Sequence, residues 1–332
     1  MSNVEPVQWG VLSTADIGLN KVIPAMQRSE MSVVAAIASR STSQAAAAAD
    51  RLGIPRAYGS YEELLSDQAI EAVYIPLPNH MHLEWAVAAA EAGKHVLCEK
   101  PLALTSTDAR TMVAACEDAG VRLMEAFMYR QHPLWVEAKR LVDTGAIGEL
   151  QVVDVVFSYF NDDPGNIRNI PEFGGGALYD IGCYAVNASR MLFGTEPTEV
   201  NASIREDPSM GIDIVASAIM RFGPGTANFV CSTRMEPDQR VDIYGTEGRL
   251  VIEIPFNIPP EIPTRILEVR GGKPPVAPAM TVHEIPPADS YTVQADGFSR
   301  ALRTASQVPV SPADAVANLE VIETIFAQAR GN

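Results

Sequence analysis

The sequence predicts two domains: an N-terminal α/β doubly wound domain, then a C-terminal α+β domain with an open, mostly antiparallel sheet. Three observations carry the prediction. The chain has 332 residues, more than one domain usually holds. To about residue 145, short apolar runs alternate with helical stretches, and strands of that kind pair in parallel under cover on both faces. From about residue 148, apolar runs follow one another across turns such as Gly223-Pro224-Gly225 and Gly245-Thr246-Glu247-Gly248, as hairpins do.

In the first domain, drawn at residues 1–126, strands are predicted at Val7–Leu12, Met31–Ala38, Ala72–Ile75, His95–Cys98 and Arg122–Glu125. Helices are predicted between them at Ile17–Gln27, Thr42–Leu52, His80–Ala92 and Ser106–Ala119. The second domain, 127–332, reads as strands Leu150–Phe160, Val200–Glu206, Asp213–Phe222, Thr226–Arg234, Gln239–Tyr244 and Gly248–Ile254, interrupted by one helix at about Ala177–Phe193. Further strands at Arg265–Val269 and Thr281–Ile285 lie in the Pro-rich stretch Pro255–Pro287. Helices near Tyr291–Thr304 and Ala313–Ala329 close the chain and are free to pack back on the first domain.

The strand ending in Phe160 is apolar on both faces: Val153, Val155, Phe157 and Tyr159 on one, Val152, Val156 and Phe160 on the other. Two apolar faces need two covers, and the chain supplies one helix. The open face is therefore expected to meet a second copy, as a homodimer or homotetramer.

Composition narrows the partners. With 47% hydrophobic and 20% charged residues the chain can build a sizeable core. A net charge of −16 without a Lys/Arg cluster argues against nucleic acid or a membrane surface. Cys98, Cys116, Cys183 and Cys231 are widely spaced and read as reduced thiols. Met1–Pro6 lacks a basic segment leading into an apolar stretch, so a cytoplasmic location is expected.

The chemistry-bearing residues cluster where predicted strands end. Glu99-Lys100-Pro101 follows the apolar run His95–Cys98. A lysine there packs badly but is well placed for a ligand, because open α/β sheets bind at the carboxyl ends of their strands. Pro101 pushes Lys100 towards an extended backbone. A lysine merely reaching solvent is the plainer alternative.

The first strand runs into Ser13-Thr14-Ala15-Asp16-Ile17-Gly18, which matches G-x-G-x-x-G only at its last glycine. The substitutes are small, so a dinucleotide pyrophosphate can still approach the helix N-terminus. An ordinary strand-to-helix turn fits equally well. The second strand leads into Ser39-Arg40-Ser41, a hydroxyl and a guanidinium where an acidic residue would bond the ribose of NAD. These donors suit a 2′-phosphate, so NADP is favoured over NAD. Ser41 also fits as the cap of an alanine-rich helix.

Ile75-Pro76-Leu77-Pro78-Asn79 ends a further strand, with Asn79 placed to cap the next helix. His80 and His82 stand two apart, the wrong spacing for ligands on one helical face, so no metal is expected. In the second domain Gly174-Gly175-Gly176 precedes Asp180 and Tyr184, four apart and on one face of a helix. Gly182 between them allows close approach by another group. A carboxylate beside a tyrosine can serve as a proton relay if an ammonium such as Lys100 lowers the tyrosine pKa. An interface pair is the other reading of that spacing.

Taken in order, Ser13–Gly18, Pro78-Asn79-His80-x-His82, Ala92-Gly93-Lys94-His95-Val96-Leu97-Cys98-Glu99-Lys100-Pro101 and Gly174–Tyr184 resemble the glucose–fructose oxidoreductase / inositol dehydrogenase (Gfo/Idh/MocA) family over nearly the whole chain. Asp180-x-Gly182-x-Tyr184 and Glu125-Ala126-Phe127-Met128-Tyr129-Arg130 with His132-Pro133 look like its D-xylose dehydrogenase and dimeric dihydrodiol dehydrogenase branch. The resemblance implies a Rossmann domain, a C-terminal domain whose open sheet is often used for oligomerisation, and NADP-dependent hydride transfer at a carbon of an aldopyranose or polyol. A nucleotide-sugar ketoreductase, a trans-dihydrodiol dehydrogenase and a non-catalytic cofactor-binding regulator are the alternatives.

The resemblance makes Lys100 and Tyr184 the catalytic pair, oriented by Asp180, with Arg168 also lining the substrate. Expected cofactor contacts are Ser13, Thr14, Ala15, Asp16, Ile17, Ser39, Arg40, Leu77, Pro78, Asn79, His82, Glu99, Lys100 and Arg130.

Overall fold

The computed structural model describes residues 5–271 and 277–331. The N-terminal reading at Met1–Val4 and residues 272–276 of the Pro-rich stretch lie outside them. Two compact units emerge, one running to Gln131 and taking in Asp289–Val316, the other His132–Ala288 with the chain from Ala317 on.

The first unit holds β1 (Val7–Leu12), α1 (Ile23–Gln27), β2 (Ser32–Ala38), α2 (Thr42–Leu52), β3 (Arg56–Tyr58), α3 (Tyr61–Leu65), β4 (Ala72–Ile75), α4 (His82–Glu91), β5 (His95–Cys98), α5 (Ser106–Asp118) and β6 (Leu123–Glu125). Its sheet has the order β3-β2-β1-β4-β5-β6 and every pair is parallel. Strand order reverses beside β1, which puts the ligand crevice at the carboxyl ends of β1 and its neighbours.

Local chemistry explains the helices. Ser41 caps α2 by accepting from the Gln44 amide, Gly53 ends it in the left-handed region, and Ala45, Ala48 and Ala49 form its buried stripe. The sequence reading missed β3 and α3. Three residues of strand and five of helix are too short for periodicity to register.

The second unit begins with α6 (Pro133–Asp143), also missed, although His132 caps it and Pro133 starts it. Then come β7 (Leu150–Phe160), α7 (Cys183–Phe193), β8 (Glu199–Asp207), β9 (Ile212–Phe222), β10 (Gly225–Ser232), β11 (Arg234–Gly245), β12 (Gly248–Ile252), β13 (Thr264–Arg270) and β14 (Ala279–Ile285). They form one sheet, β14-β13-β12-β11-β7-β10-β9-β8. It is antiparallel except where β7 runs parallel to β10. Arg234 opens β11 rather than closing β10: its amide bonds the Ser232 hydroxyl and turns the chain.

One face of this sheet carries buried Val153, Val155 and Phe157. On the other, Phe160, Ile219, Met280 and Val282 are exposed. The chain then forms α8 (Ser290–Thr304), in the first unit, and α9 (Pro312–Ala329). α8 covers β1: Trp9 is wholly buried, donates to the Ser299 hydroxyl at 3.3 Å and packs on Phe298 with ring centroids 5.5 Å apart. No helix among the described residues is long and apolar enough to cross a membrane.

Lys94, in the Ala-Gly-Lys-His motif, is structural. Only 3% exposed, its ammonium donates to the Asp67 and Ile70 carbonyls at 2.8 and 2.9 Å, tying the turn before β4 to the turn before β5. Burial pulls its pKa down, with Asp67 opposing. Replacing it by methionine leaves two carbonyls without their charged donor, and Lys94→Met is expected to cost about 2 kcal/mol in urea unfolding.

Candidate active site

In the first unit the predicted residues gather at the carboxyl ends of β1, β2, β4 and β5. Ser13 has φ +143°, a backbone that favours glycine. Its hydroxyl offsets the cost: it accepts from the Ala15 amide at 3.0 Å and donates to the Pro76 carbonyl at 3.3 Å, joining the turn after β1 to the turn after β4. Thr14 and Ala15 are half-buried, and Asp16 is exposed at the start of the helix. Ile17 packs against the core. That helix is not the uniform one predicted over 17–27, since Gly18–Val22 forms a wider π-helical turn. Small residues before a helix whose first amides lack intrahelical partners fit a pyrophosphate.

After β2, Ser39 is buried; its hydroxyl accepts from the Ser41 amide at 3.3 Å and donates to Gln44 at 3.4 Å. Arg40 is exposed, and its charge opposes the rise that burial gives the Tyr61 pKa. The cap and the guanidinium therefore coexist, as a 2′-phosphate site requires.

After β4, Leu77 is buried and Pro78 half-buried. Asn79 is not the cap: it sits inside a short 3₁₀ turn, Asn79–Met81, with Pro78 at the N-terminal position. His82, expected to meet the cofactor, is placed differently. It is wholly buried, with Nε2 2.8 Å from the Leu77 carbonyl and Nδ1 3.0 and 3.2 Å from the Pro101 and Leu102 carbonyls. Burial drives its pKa down, while those carbonyls push it up. The imidazole thus clamps the loops after β4 and β5 from behind.

Glu99 accepts from the Tyr74 hydroxyl at 2.6 Å and from the Lys100 amide at 3.3 Å. Burial, then the Glu99 charge, push the Tyr74 pKa well up, so the phenol remains a donor. Lys100 is half-buried, its bond to Pro101 is cis, and the Leu102 amide donates to Glu125 at 2.7 Å. Three buried side chains, Tyr74, His82 and Glu125, therefore fix the Lys100 loop, and the sequence reading had given none of them that part. Arg130 pairs with Asp314 at 3.2 Å.

In the second unit the helix predicted over 177–193 opens with another π-helical turn, Leu178–Gly182, before α7. The four-residue spacing of Asp180 and Tyr184 therefore does not carry its α-helical meaning. Asp180 Oδ2 accepts from the Tyr159 hydroxyl at 2.5 Å, and Oδ1 lies 3.1 Å from Arg168 Nε. Arg168 is exposed, and the Asp180 carboxylate beside it raises its pKa while burial opposes. Tyr184 is 6% exposed and packs between Phe157 and Phe256, with centroids 5.6 and 5.1 Å away.

Two glycines permit this. A Cβ on Gly175 would lie 2.6 Å from the Arg168 carbonyl, and one on Gly182 would lie 2.9 Å from Cys231 Sγ. The first lets the Arg168 turn lie on the glycine run; the second seats the helix on β10. Lys100 belongs to the first unit, and Arg168, Asp180 and Tyr184 to the second. Among the described residues no three His, Cys, Asp or Glu side chains group as a metal site.

Comparison with known proteins agrees with this architecture. Residues 7–127 match the model of an oxidoreductase family with an NAD-binding Rossmann fold, and residues 135–251 match the GFO/IDH/MocA C-terminal domain. An uncharacterized oxidoreductase of Rhizobium meliloti is 45% identical over 98% of both chains. A D-xylose 1-dehydrogenase (NADP(+)) of Haloferax volcanii is 40% identical over 97% of both. The crystal structure of a 3-ketoreductase from Actinomadura kijaniata, in complex with NADP and TDP-benzene, superposes with a TM-score of 0.90 at 27% identity, covering 97% of this chain and 98% of that one.

Asp213 supports the π-helical turn by accepting from the Leu178 amide at 2.6 Å. Burial pushes its carboxyl from 3.8 up to about 6, against the pull of its backbone hydrogen bonds. The folded state then holds a proton that the unfolded chain releases, so stability falls as pH rises from about 4 to 6. Asp213→Asn keeps an acceptor for Leu178 and is expected to flatten that slope and to gain about 2 kcal/mol at pH 7. Urea unfolding across pH 4–7 checks this; a slope equal to the parent's would exclude Asp213 as its source.

Proposed function

The chain belongs to the GFO/IDH/MocA oxidoreductase family, and on that premise we propose that it is an NADP-dependent dehydrogenase of sugars, acting on a ring carbon of an aldopyranose such as xylose or glucose or on a related polyol. The observation that carries the cofactor choice is the exposed Arg40 that follows β2, between Ser39 and Ser41, whose hydroxyl and amide bond one another. A guanidinium and hydroxyls bind a 2′-phosphate. The 40% identity to an NADP-dependent xylose dehydrogenase along almost the full chain supports both cofactor and substrate class.

NADP supplies the acceptor for hydride. Ser13–Ile17, Arg40, Pro78, Asn79, Glu99 and Arg130 would bind it. In sugar oxidation Tyr184 takes the hydroxyl proton as hydride leaves. Lys100 bonds the same oxygen and stabilises the charge that develops on it. Asp180 holds the surroundings of Tyr184 in order. The reverse reaction, reduction of a nucleotide-linked keto-sugar with Tyr184 as acid, is the second reading, favoured by the 0.90 superposition on a 3-ketoreductase.

The uncovered face of the second sheet, with exposed Ile219, Met280 and Val282, is proposed to bind a second copy. Ile219→Asp is expected to lower the sedimenting mass to that of one chain.

Nicotinamide absorbance with NADP or NAD, across aldopyranoses, inositols, a trans-dihydrodiol and a nucleotide-linked keto-sugar, tests the main reading. Reduction with an aldopyranose, faster with NADP, is expected; turnover confined to the keto-sugar would establish the second reading instead. Tyr184→Phe is expected to lower kcat at least 100-fold with NADP affinity kept. Unchanged turnover would remove the tyrosine from the mechanism.

A further inference from the structure

We propose that Asp213, in β9, is a positioning residue of the candidate site: its buried carboxylate fixes the helical turn that carries Asp180 and, through Gly176, the loop that carries Arg168. The inference deepens the functional reading above and rests on it for the part that Asp180 and Tyr184 play in catalysis. It adds to the site a side chain that acts through the backbone rather than on the reacting atoms.

The turn, the glycine run and the loop before it meet at this carboxylate. Oδ2 accepts from the Leu178 amide at 2.6 Å, in the opening π-helical turn. Oδ1 lies against Gly176, where a Cβ would stand 2.0 Å from it. Gly176 also has φ +118°, a backbone that favours glycine, so the carboxylate can close on it. The Gly176 carbonyl accepts from the Asp180 amide at 3.1 Å, and the Gly176 amide donates to the Arg168 carbonyl at 2.9 Å. Only Gly176 therefore separates Asp213 from both members of the Arg168–Asp180 pair, whose side chains meet at 3.1 Å. Holding Gly176 and Leu178 in place fixes the distance between them.

The sheet is bent to deliver this side chain. β8 pairs with β9 at Arg205 opposite Val215 and then at Glu206 opposite Asp213, so Ile214 is an extra residue on β9. Plain alternation would put Asp213 on the face opposite that of Ala216. Ala216 faces the helix, since it stands opposite Cys231, whose Sγ abuts Gly182. The bulge brings Asp213 round to that same face, as bulges beside sites do. Asp213 is 4% exposed, and among the described residues no Lys, Arg or His pairs with it; Arg330 pairs with Glu206 instead, at 3.4 Å. Its grip is a hydrogen bond to backbone rather than an ion pair. Asparagine, with the same shape, can reproduce that bond, and an apolar residue cannot.

The test is amide hydrogen exchange of the full chain, read by mass spectrometry, for Asp213→Ala beside Asp213→Asn. In Asp213→Ala the segment 174–184 is expected to exchange about tenfold faster or more, while the rest of the second unit keeps the parent's rates. Asp213→Asn should exchange as the parent does. In the absorbance assay above, Asp213→Ala should lose about tenfold or more in kcat with KM for NADP unchanged, and Asp213→Asn should keep the parent's kcat. Parent-like exchange in Asp213→Ala would overturn the proposal, as would exchange in Asp213→Asn as fast as in Asp213→Ala. Faster exchange spread over the whole second unit, or loss of the fold, would make Asp213 an ordinary structural residue and overturn it too. So would an Asp213→Ala enzyme with the parent's kcat. Exchange needs no turnover, so it answers for Asp213 even if every substrate in the panel is inert.

Discussion

Carbonyls and amides at the ends of a buried parallel sheet have no water to bond, so the protein itself must supply their partners. In the first unit this constraint accounts for several of the buried polar side chains. Lys94 takes two carbonyls at the amino ends of the strands, and Glu71 accepts from the Gln8 amide while it pairs with Arg303. At the carboxyl ends Ser13, His82 and Glu125 do the same work. The loops that would hold a cofactor are shaped by these bonds before any ligand arrives. Binding energy is then not consumed in ordering them.

The second unit uses a different device. At its candidate site one carboxylate holds two partners at once. The π-helical turn matters because it widens the helix just where Asp180 must face β7 and the Arg168 loop together. Such turns occur often at functional sites. The buried Asp213 at its start is the cost side of that arrangement, a carboxylate that would be more comfortable protonated.

Much of this was legible in the sequence. β1, β4, β5, α2 and β7 have the bounds that period and punctuation predict, because apolar runs bounded by turn residues or a cap-and-glycine pair leave little choice. The doubly wound sheet and the mostly antiparallel one follow from the same change of grammar near residue 148. What stayed hidden was tertiary. Nothing local in Pro78-Asn79-His80-Met81-His82 says that His82 turns inwards to carbonyls some 20 residues away. A π-helical turn has the same residues as an α-helical one, so Asp180 and Tyr184 carried a spacing that the backbone does not keep. Tyr159 looked like a core aromatic on the correct face of β7; its hydroxyl partner lies 21 residues on. The helix α6 did carry a signal, since Leu134, Trp135, Ala138 and Leu141 follow a proline at helical spacing.

The packing of α8 on β1 has a consequence for how the chain comes off the ribosome. Trp9, Val11, Met26 and Ile37 share one core with Ala295, Phe298 and Ala301. β1 therefore waits for a helix made long after it, with Trp9 and its Ser299 partner separated by 290 residues. During that interval the nascent first unit presents an unfinished apolar surface, the kind of species that chaperones hold and that aggregates when left alone. Contacts this distant in sequence also make closure of the first unit slow. α8 thus acts as a timing element, and the first unit matures only once that helix has been made.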